Sequence, residues 1–275
     1  MFEEDRKPYE PKLHIVAFIE ILGYNEIIEE KNYEEVHSFY AEVSEQFYKI
    51  RNKNYLWGFH VIEPEIGFFG DKISMHSRIY EGKNYKDLNS LIFKHFIDFS
   101  RVLISIGLKN EVPMRGLINI GDFYSGFAES KKTELIPKGD PLILKDLLNV
   151  FSVNDIFPEG LKDCLVPKFR IPIMYGDAIK KVIKEIVNIN SVGIFMPPEL
   201  IKHSFTEIAL LSEMLIETRI NKQNFYACNW INWIHANYGS ETINSIIDFA
   251  EQQTDCESMR ISGKWESFLD YSNDL

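Results

Sequence analysis

Apolar residues run almost unbroken through His14-Ile-Val-Ala-Phe-Ile-Glu-Ile-Leu22. A run this short and rich in β-branched residues reads as a strand buried on both faces. Gly23 ends it, and Asn25 is placed to cap a short helix reaching about Glu30. Val36, Phe39, Tyr40, Val43, Phe47 and Ile50 then recur at helical spacing, which predicts an amphipathic helix over 33–51. Ile66-Gly-Phe-Phe69 and Ile73-Ser-Met75, separated by Gly70-Asp71-Lys72, predict a β-hairpin. Leu88, Leu91, Ile92, His95, Phe96, Phe99, Val102, Leu103 and Ile106 form one stripe, a helix over 85–107 with Gly107 in the C-cap position. Met114-Arg-Gly-Leu-Ile-Asn-Ile120 reads as the next strand, ended by Gly121.

The resulting order of strand, two helices, hairpin, helix and strand is a ferredoxin-like β-α-β-β-α-β layout with one extra helix. This is an α+β fold with an antiparallel central sheet and helices on one face, and the first strand and the hairpin lie side by side at its centre. Beyond Gly121 the pattern weakens. It predicts a loop over 125–138, a helix over 141–150, and a loop punctuated by Pro158, Gly160, Pro167 and Pro172. Helices over 177–187 and 198–217 follow, then a strand over 224–228 and a helix reaching about 253. Trp265, Phe268, Leu269 and Tyr271 predict that the C-terminal segment packs back on the domain. No linker interrupts the pattern, so 1–275 reads as a single domain, with a core over about 12–150 and a C-terminal elaboration over about 151–275.

Composition narrows the class. At 45% apolar, 13% aromatic and 26% charged residues, the chain has enough apolar mass for a sizeable core, and disordered, collagenous and coiled-coil classes are excluded. No apolar run approaches the ~20 residues of a membrane span, so no membrane partner is expected. Met1-Phe2-Glu3-Glu4-Asp5 is acidic where a secretory leader is basic and then apolar. Cys164, Cys228 and Cys256 fit neither a disulfide framework nor a CxxC zinc site, and the expected location is the reducing cytoplasm. A formal net charge of −11 repels polyphosphate at long range, which argues against stable nucleic-acid binding. A small anionic ligand is compatible with it where local cations neutralise the site.

Two carboxylates stand out by position. Glu20 interrupts the apolar first strand, where an ionised group is costly unless it is paired, at a strand end, or bound to a cation. Asp71 sits at the hairpin tip directly after Gly70. The layout brings the two to one end of the sheet, where together with the Ile21 carbonyl they offer the oxygen ligands that Mg²⁺ or Mn²⁺ prefers. The plainer alternatives are a Gly-Asp turn and a strand glutamate turned to solvent. Arg115, at the start of its strand, is placed either to reach a phosphate or simply to face solvent. Gly23 with the helix after it offers backbone N–H groups to phosphate, or serves only as a tight turn. Lys131, Lys132 and Lys138 read as a solvated cluster and His95 as a core residue; HExxH, Gly-x-Ser-x-Gly and P-loop patterns are missing from the sequence.

Ala17-Phe-Ile-Glu-Ile-Leu-Gly-Tyr24 resembles the AFxDxLGF opening of the class III nucleotidyl cyclases, and most of all their bacterial antiphage branch, the Pycsar pyrimidine cyclases. Phe69-Gly-Asp-Lys-Ile-Ser-Met75 resembles the second metal motif, FSDSIxxS, and Met114-Arg-Gly-Leu-Ile-Asn-Ile-Gly121 the RGxIxxG strand. Gly139-Asp-Pro-Leu-Ile-Leu-Lys-Asp-Leu-Leu148 is loosely similar to the GxxLxxAxxLE helix. Asn224-Phe-Tyr-Ala227 and Lys264-Trp-Glu-Ser-Phe-Leu-Asp-Tyr-Ser-Asn273 are similar to the late strand and the terminal WLxxYHN. The resemblance implies that Glu20 and Asp71 hold the Mg²⁺ or Mn²⁺ ions that activate a ribose 3′-hydroxyl against the α-phosphate of a nucleoside triphosphate. The implied product is a 3′,5′-cyclic nucleotide, by this branch cyclic CMP or cyclic UMP in antiphage signalling. It also implies a homodimer.

The departures bear on activity. Glu20 stands where the family has Asp and is longer by one carbon–carbon bond, about 1.5 Å. Lys72 replaces the Ser after the second acid; it is a cation for a triphosphate or a substitute for a metal ion. Gly67 stands where purine cyclases carry a base-reading Lys. Ile143 and Leu147 fall where the ribose- and triphosphate-contacting Asn and Arg are expected. A nucleotide-binding or regulatory descendant without turnover is therefore the alternative, and a metal-dependent phosphohydrolase a third reading.

Overall fold

The order of the strands follows from where the apolar runs fall. In the computed structural model, which describes residues 11–30, 33–55, 64–129, 170–202, 213–255 and 259–273, β1 (Lys12–Ile21) leads to α1 (Tyr24–Glu30) and α2 (Tyr33–Tyr55). The hairpin β2 (Glu65–Phe69) and β3 (Lys72–Arg78), the helix α3 (Lys86–Lys109) and β4 (Met114–Glu129) complete the expected series. β1 lies between β3 and β4, antiparallel to both, and β2 flanks β3, which is the ferredoxin-like order. The α+β expectation and its central antiparallel sheet hold.

The C-terminal region extends this sheet. β5 (Arg170–Tyr175) pairs with β4, and α4 (Asp177–Ile186) follows. β6 (Gly193–Met196) runs parallel to β4 and antiparallel to β8 (Gln223–Cys228), whose other neighbour is β7 (Leu215–Ile220). Helices α5 (Trp230–Tyr238), α6 (Ser240–Thr254) and α7 (Met259–Asn273) end the described chain. The described residues fall into two compact units. The larger holds those through Phe123 and from Tyr175 on; the smaller, Tyr124–Met174, is described only at its two ends. No helix among the described residues is long and apolar enough to cross a membrane.

Alternation along β1 sends Ile15, Ala17, Ile19 and Ile21 to one face, each at most 3% exposed. Helix α3 lies on that face: Gly107 packs against Met114, the partner of Ile21 across the ladder. A Cβ at Gly107 would lie 2.1 Å from Met114 Cε and 2.8 Å from the Val112 carbonyl. Gly107 is therefore a point of close approach inside α3, not the C-cap its position suggested, and Asn110 takes that place. Gly121 likewise does not end its strand. It lies within β4 opposite His14, where a Cβ would sit in ordinary contact with Ala178 of α4 at 3.4 Å, so α4 covers the other face of β1.

Other boundaries moved for identifiable reasons. Residues 215–217, expected in a helix, open β7, whose Leu-Ile-Glu-Thr-Arg-Ile buries only its two ends, Leu215 and Ile220. The turn to β8 passes through Asn221 and Lys222, both at positive φ (50° and 68°), as a tight hairpin requires. Of the helix expected over 198–217, a 3-10 turn at Pro198–Lys202 is present, and 203–212 lie outside the described residues. The long final helix is broken at Gly239 (φ 85°) into α5 and α6. Of the loop predicted over 125–138, residues 125–129 instead continue β4; the rest of it and the helix predicted over 141–150 lie outside the described residues, as do Lys131, Lys132, Lys138, Ile143 and Leu147.

Two polar features bind the layers. Glu42 of α2 accepts from Lys109 Nζ (2.7 and 3.0 Å), Asn110 Nδ2 (2.9 Å) and the Tyr238 hydroxyl, so α2, α3 and α5 share one carboxylate. Burial alone would raise this carboxyl; the donors outweigh it and hold it below its ordinary range. At the other end of the chain, Trp265, Phe268 and Tyr271 of α7 are buried, as their spacing suggested, and the Tyr271 hydroxyl donates to the Val192 carbonyl at 3.0 Å.

His76 on β3 is 6% exposed and packs against the rings of Phe123 (4.8 Å) and His14 (5.7 Å). Burial, reinforced by His14, drives its pKa down to about 4. The unfolded chain, with His76 near 6.5, therefore binds the extra proton between about pH 6.5 and 4, and stability falls as pH drops through that window. We expect chemical denaturation to show a loss of about 2–3 kcal/mol attributable to this residue between pH 7 and 4. A His76→Phe variant should lack that component of the slope.

Candidate functional site

The C-terminal end of β1 gathers the residues singled out in the sequence. Because β1 is central, Glu20 has a direct cross-strand neighbour on each side: Lys72 on β3 and Arg115 on β4. Side chains opposite each other in an antiparallel ladder share a face about 5 Å apart, so the three charges form a row across three strands. Asp71 precedes Lys72 at the hairpin tip, and its carbonyl accepts from the Ile21 N–H at 2.7 Å, which ties the tip to the end of β1. Gly70 has φ +60° and nothing near the place of a Cβ, as expected for the turn.

The cations differ in how firmly they are held. Arg115, 7% exposed, donates from Nε (2.9 Å) and Nη2 (2.7 Å) to Glu20 Oε2, and from Nη1 to the Ile189 carbonyl at 3.2 Å. Its guanidinium thus braces Glu20 against the segment after α4. Lys72 Nζ lies 2.7 Å from Asp71 Oδ2 and 3.9 Å from Glu20 Oε1, and its side chain is 41% exposed. A single ammonium thereby stands within ion-pair reach of both carboxylates. Glu20 is neither a bare metal ligand nor a solvated end residue: it is charge-paired on both sides. Likewise, Arg115 does not face solvent.

The other expected residues are close by in the chain. Gly23, two positions beyond Ile21, turns at φ +67° and starts α1, whose Ile27 N–H donates to the Gly23 carbonyl. That positive φ accounts for glycine there as a turn. The Ile21 side chain is buried at 3%. Gly67 pairs with Ser74 within the hairpin. Two groups were not anticipated. The Ile189 carbonyl carries no side-chain signature in a sequence. Tyr40 of α2 reaches the hairpin, its hydroxyl 3.4 Å from the Gly70 carbonyl, and its pKa is raised by burial first and then by Tyr24 and Asp71. The aromatic Phe39-Tyr40 pair was its only signal.

The chemistry of this donor set decides what it can hold. Among the described residues no three His, Cys, Asp or Glu side chains converge as a metal cage. Two carboxylates with the remaining positions left to water and phosphate suit Mg²⁺ or Mn²⁺, hard cations that use few protein ligands. Glu20 Oε2 is committed to Arg115, which leaves Oε1 and the Asp71 carboxylate, with Lys72 beside both. The residues therefore fit a divalent cation once Lys72 swings aside, and two cations would have to share the same two carboxylates.

No family model matches the chain, and no curated protein does either. The fold has solved neighbours that are cyclase domains. The adenylyl cyclase CyaB from P. aeruginosa is 12% identical, with a TM-score of 0.43 over 79% of this chain and 94% of that one. The guanylate cyclase domain of RhGC from Catenaria anguillulae, solved in complex with GTP, is 11% identical, with a TM-score of 0.44 over 80% and 97%. A bacterial light-regulated adenylyl cyclase is 12% identical, with a TM-score of 0.37 over 87% and 100%.

Arg115→Met is expected to strand the Glu20 carboxylate and the Ile189 carbonyl together and to cost about 1–3 kcal/mol in chemical denaturation. Lys72→Met, at an exposed pair, should cost less than about 1 kcal/mol. Adding Glu20→Gln to Arg115→Met should recover part of the loss, because the stranded charge is gone.

Proposed function

We propose that the chain is a divergent nucleotidyl cyclase that converts a nucleoside triphosphate to a 3′,5′-cyclic monophosphate and pyrophosphate. The observation that carries this reading is the meeting of Glu20 and Asp71, 51 positions apart in sequence, around one ammonium at the end of the central strand. In the reaction the ribose 3′-oxygen bonds to the α-phosphorus, the bond from that phosphorus to the β-bridging oxygen breaks, and the hydroxyl proton is lost. Mg²⁺ or Mn²⁺ held by Glu20 and Asp71, with the Ile21 carbonyl, would lower the pKa of the hydroxyl and offset charge at the phosphate.

The chain's own residues supply the rest. Arg115 holds the Glu20 carboxylate in one orientation, which matters because in-line transfer tolerates little displacement. Lys72 is the mobile cation, positioned to take a phosphate oxygen of the departing pyrophosphate. Gly23 and the turn after it offer backbone N–H groups at the same strand end. The base we infer is a pyrimidine, CTP or UTP, and the role antiphage signalling. The resemblance to the Pycsar branch and the absence of a side chain at Gly67 support this. A homodimer accompanies this reading.

A second reading has its own support. Lys72 and Arg115 already neutralise both carboxylates, the arrangement expected of a nucleotide-binding or regulatory descendant without turnover.

Incubation of the purified protein with ATP, GTP, CTP and UTP separately in Mn²⁺, with products identified by mass, distinguishes the two. A cyclic product reduced ~100-fold or more by Asp71→Ala is expected. Nucleotide binding without any cyclic product would favour the second reading, and a linear product would identify a phosphohydrolase.

A further inference from the structure

The two cations beside Glu20 are not equivalent. Arg115 is buried at 7%, makes two bonds to Glu20 Oε2, and is anchored by a third to the Ile189 carbonyl. Lys72 has one hydrogen bond, to Asp71 Oδ2, and a longer approach of 3.9 Å to Glu20 Oε1; its side chain is 41% exposed. Both oxygens it approaches belong to the carboxylates that a divalent cation would use. A flexible four-carbon stem lets the ammonium leave without disturbing the β1–β3 ladder, which is held through the backbone.

We infer that Lys72 is a tethered occupant of the divalent-cation position, so that metal binding displaces its ammonium and is weakened by it. This rests on the cation site of the proposed function and adds a built-in competitor to it. The Lys72–Asp71 contact is partly exposed and therefore weak, so the lysine lowers cation affinity without abolishing it. A divalent ion entering beside a retained positive charge also meets repulsion, which removing the charge relieves. Arg115 has no such role: its guanidinium stays with Glu20 whether or not a cation is present.

Mn²⁺ alone, titrated against the full chain and followed by the electron paramagnetic resonance of the free ion, tests this without nucleotide or turnover. Lys72→Met is expected to tighten Mn²⁺ binding about tenfold. Lys72→Gln should do the same, and Lys72→Arg, which keeps the charge, should stay within about twofold of the wild type. Asp71→Asn should lose the site, and melting temperatures show that each variant is folded. Binding in Lys72→Met and Lys72→Gln no tighter than wild type, with Asp71→Asn still losing it, overturns the competitor role and leaves the cation site standing. Absence of Asp71-dependent Mn²⁺ binding from wild type and every Lys72 variant overturns the inference and the cation chemistry of the proposed function together.

Discussion

A carboxylate near the end of a largely buried strand has to be compensated, and the way Glu20 is compensated organises this molecule. β1 carries Glu20 between two cations, Lys72 from β3 and Arg115 from β4, and the buried Arg115 makes the two hydrogen bonds that hold it. Those pairings mark both registers at this rung. Sliding β3 by one residue would bring Asp71 or Ile73 opposite Glu20, and sliding β4 would bring Met114 or Gly116, none of them a cation, while turning the sliding strand's own faces over. The same rung reaches beyond the ferredoxin-like core, because Arg115 also holds the Ile189 carbonyl and so ties the C-terminal elaboration to the sheet.

The core was legible because its patterns are long or bounded. α3 shows an apolar stripe over many turns, β1 is a continuous apolar run, and the hairpin is framed by Gly70-Asp71. The strands that escaped notice are short and unmarked. β6 has four residues, all buried, with no alternation to display. β7 is read as the end of a helix when its Leu, Ile and Thr are taken without the turn at Asn221-Lys222. The glycines misled for a different reason. Gly107 and Gly121 look like terminators locally, yet both lie inside their elements, and Gly107 is glycine because Met114 and the Val112 carbonyl approach it. That information belongs to the tertiary fold and leaves no local trace.

The candidate site was legible as residues but not as a charge arrangement. Glu20, Asp71, Lys72 and Arg115 were each conspicuous in the sequence. Their mutual compensation depends on ladder register and side-chain reach, which spacing does not encode. The outcome is a locally neutral cluster in a chain carrying a net charge of −11, so an anionic ligand approaching this strand end meets cations that are already employed. Under the proposed function such a site exchanges one ion pair for another and does not simply fill a void, which would tie anion recognition to whatever releases Lys72.

The unequal anchoring of the two cations also bears on how this sequence can drift. Position 115 is coupled to position 20 through the Arg115–Glu20 pair, so a neutral residue at 115 costs less alongside a neutral residue at 20, and the two are expected to change together in descendants of this chain. Position 72 is under no such bond, and its partly exposed side chain can be exchanged alone at little cost to the fold. The rung therefore holds one locked pair and one free coordinate, and if the proposed cation site stands, selection can retune its ion preference along that coordinate while the sheet stays as it is.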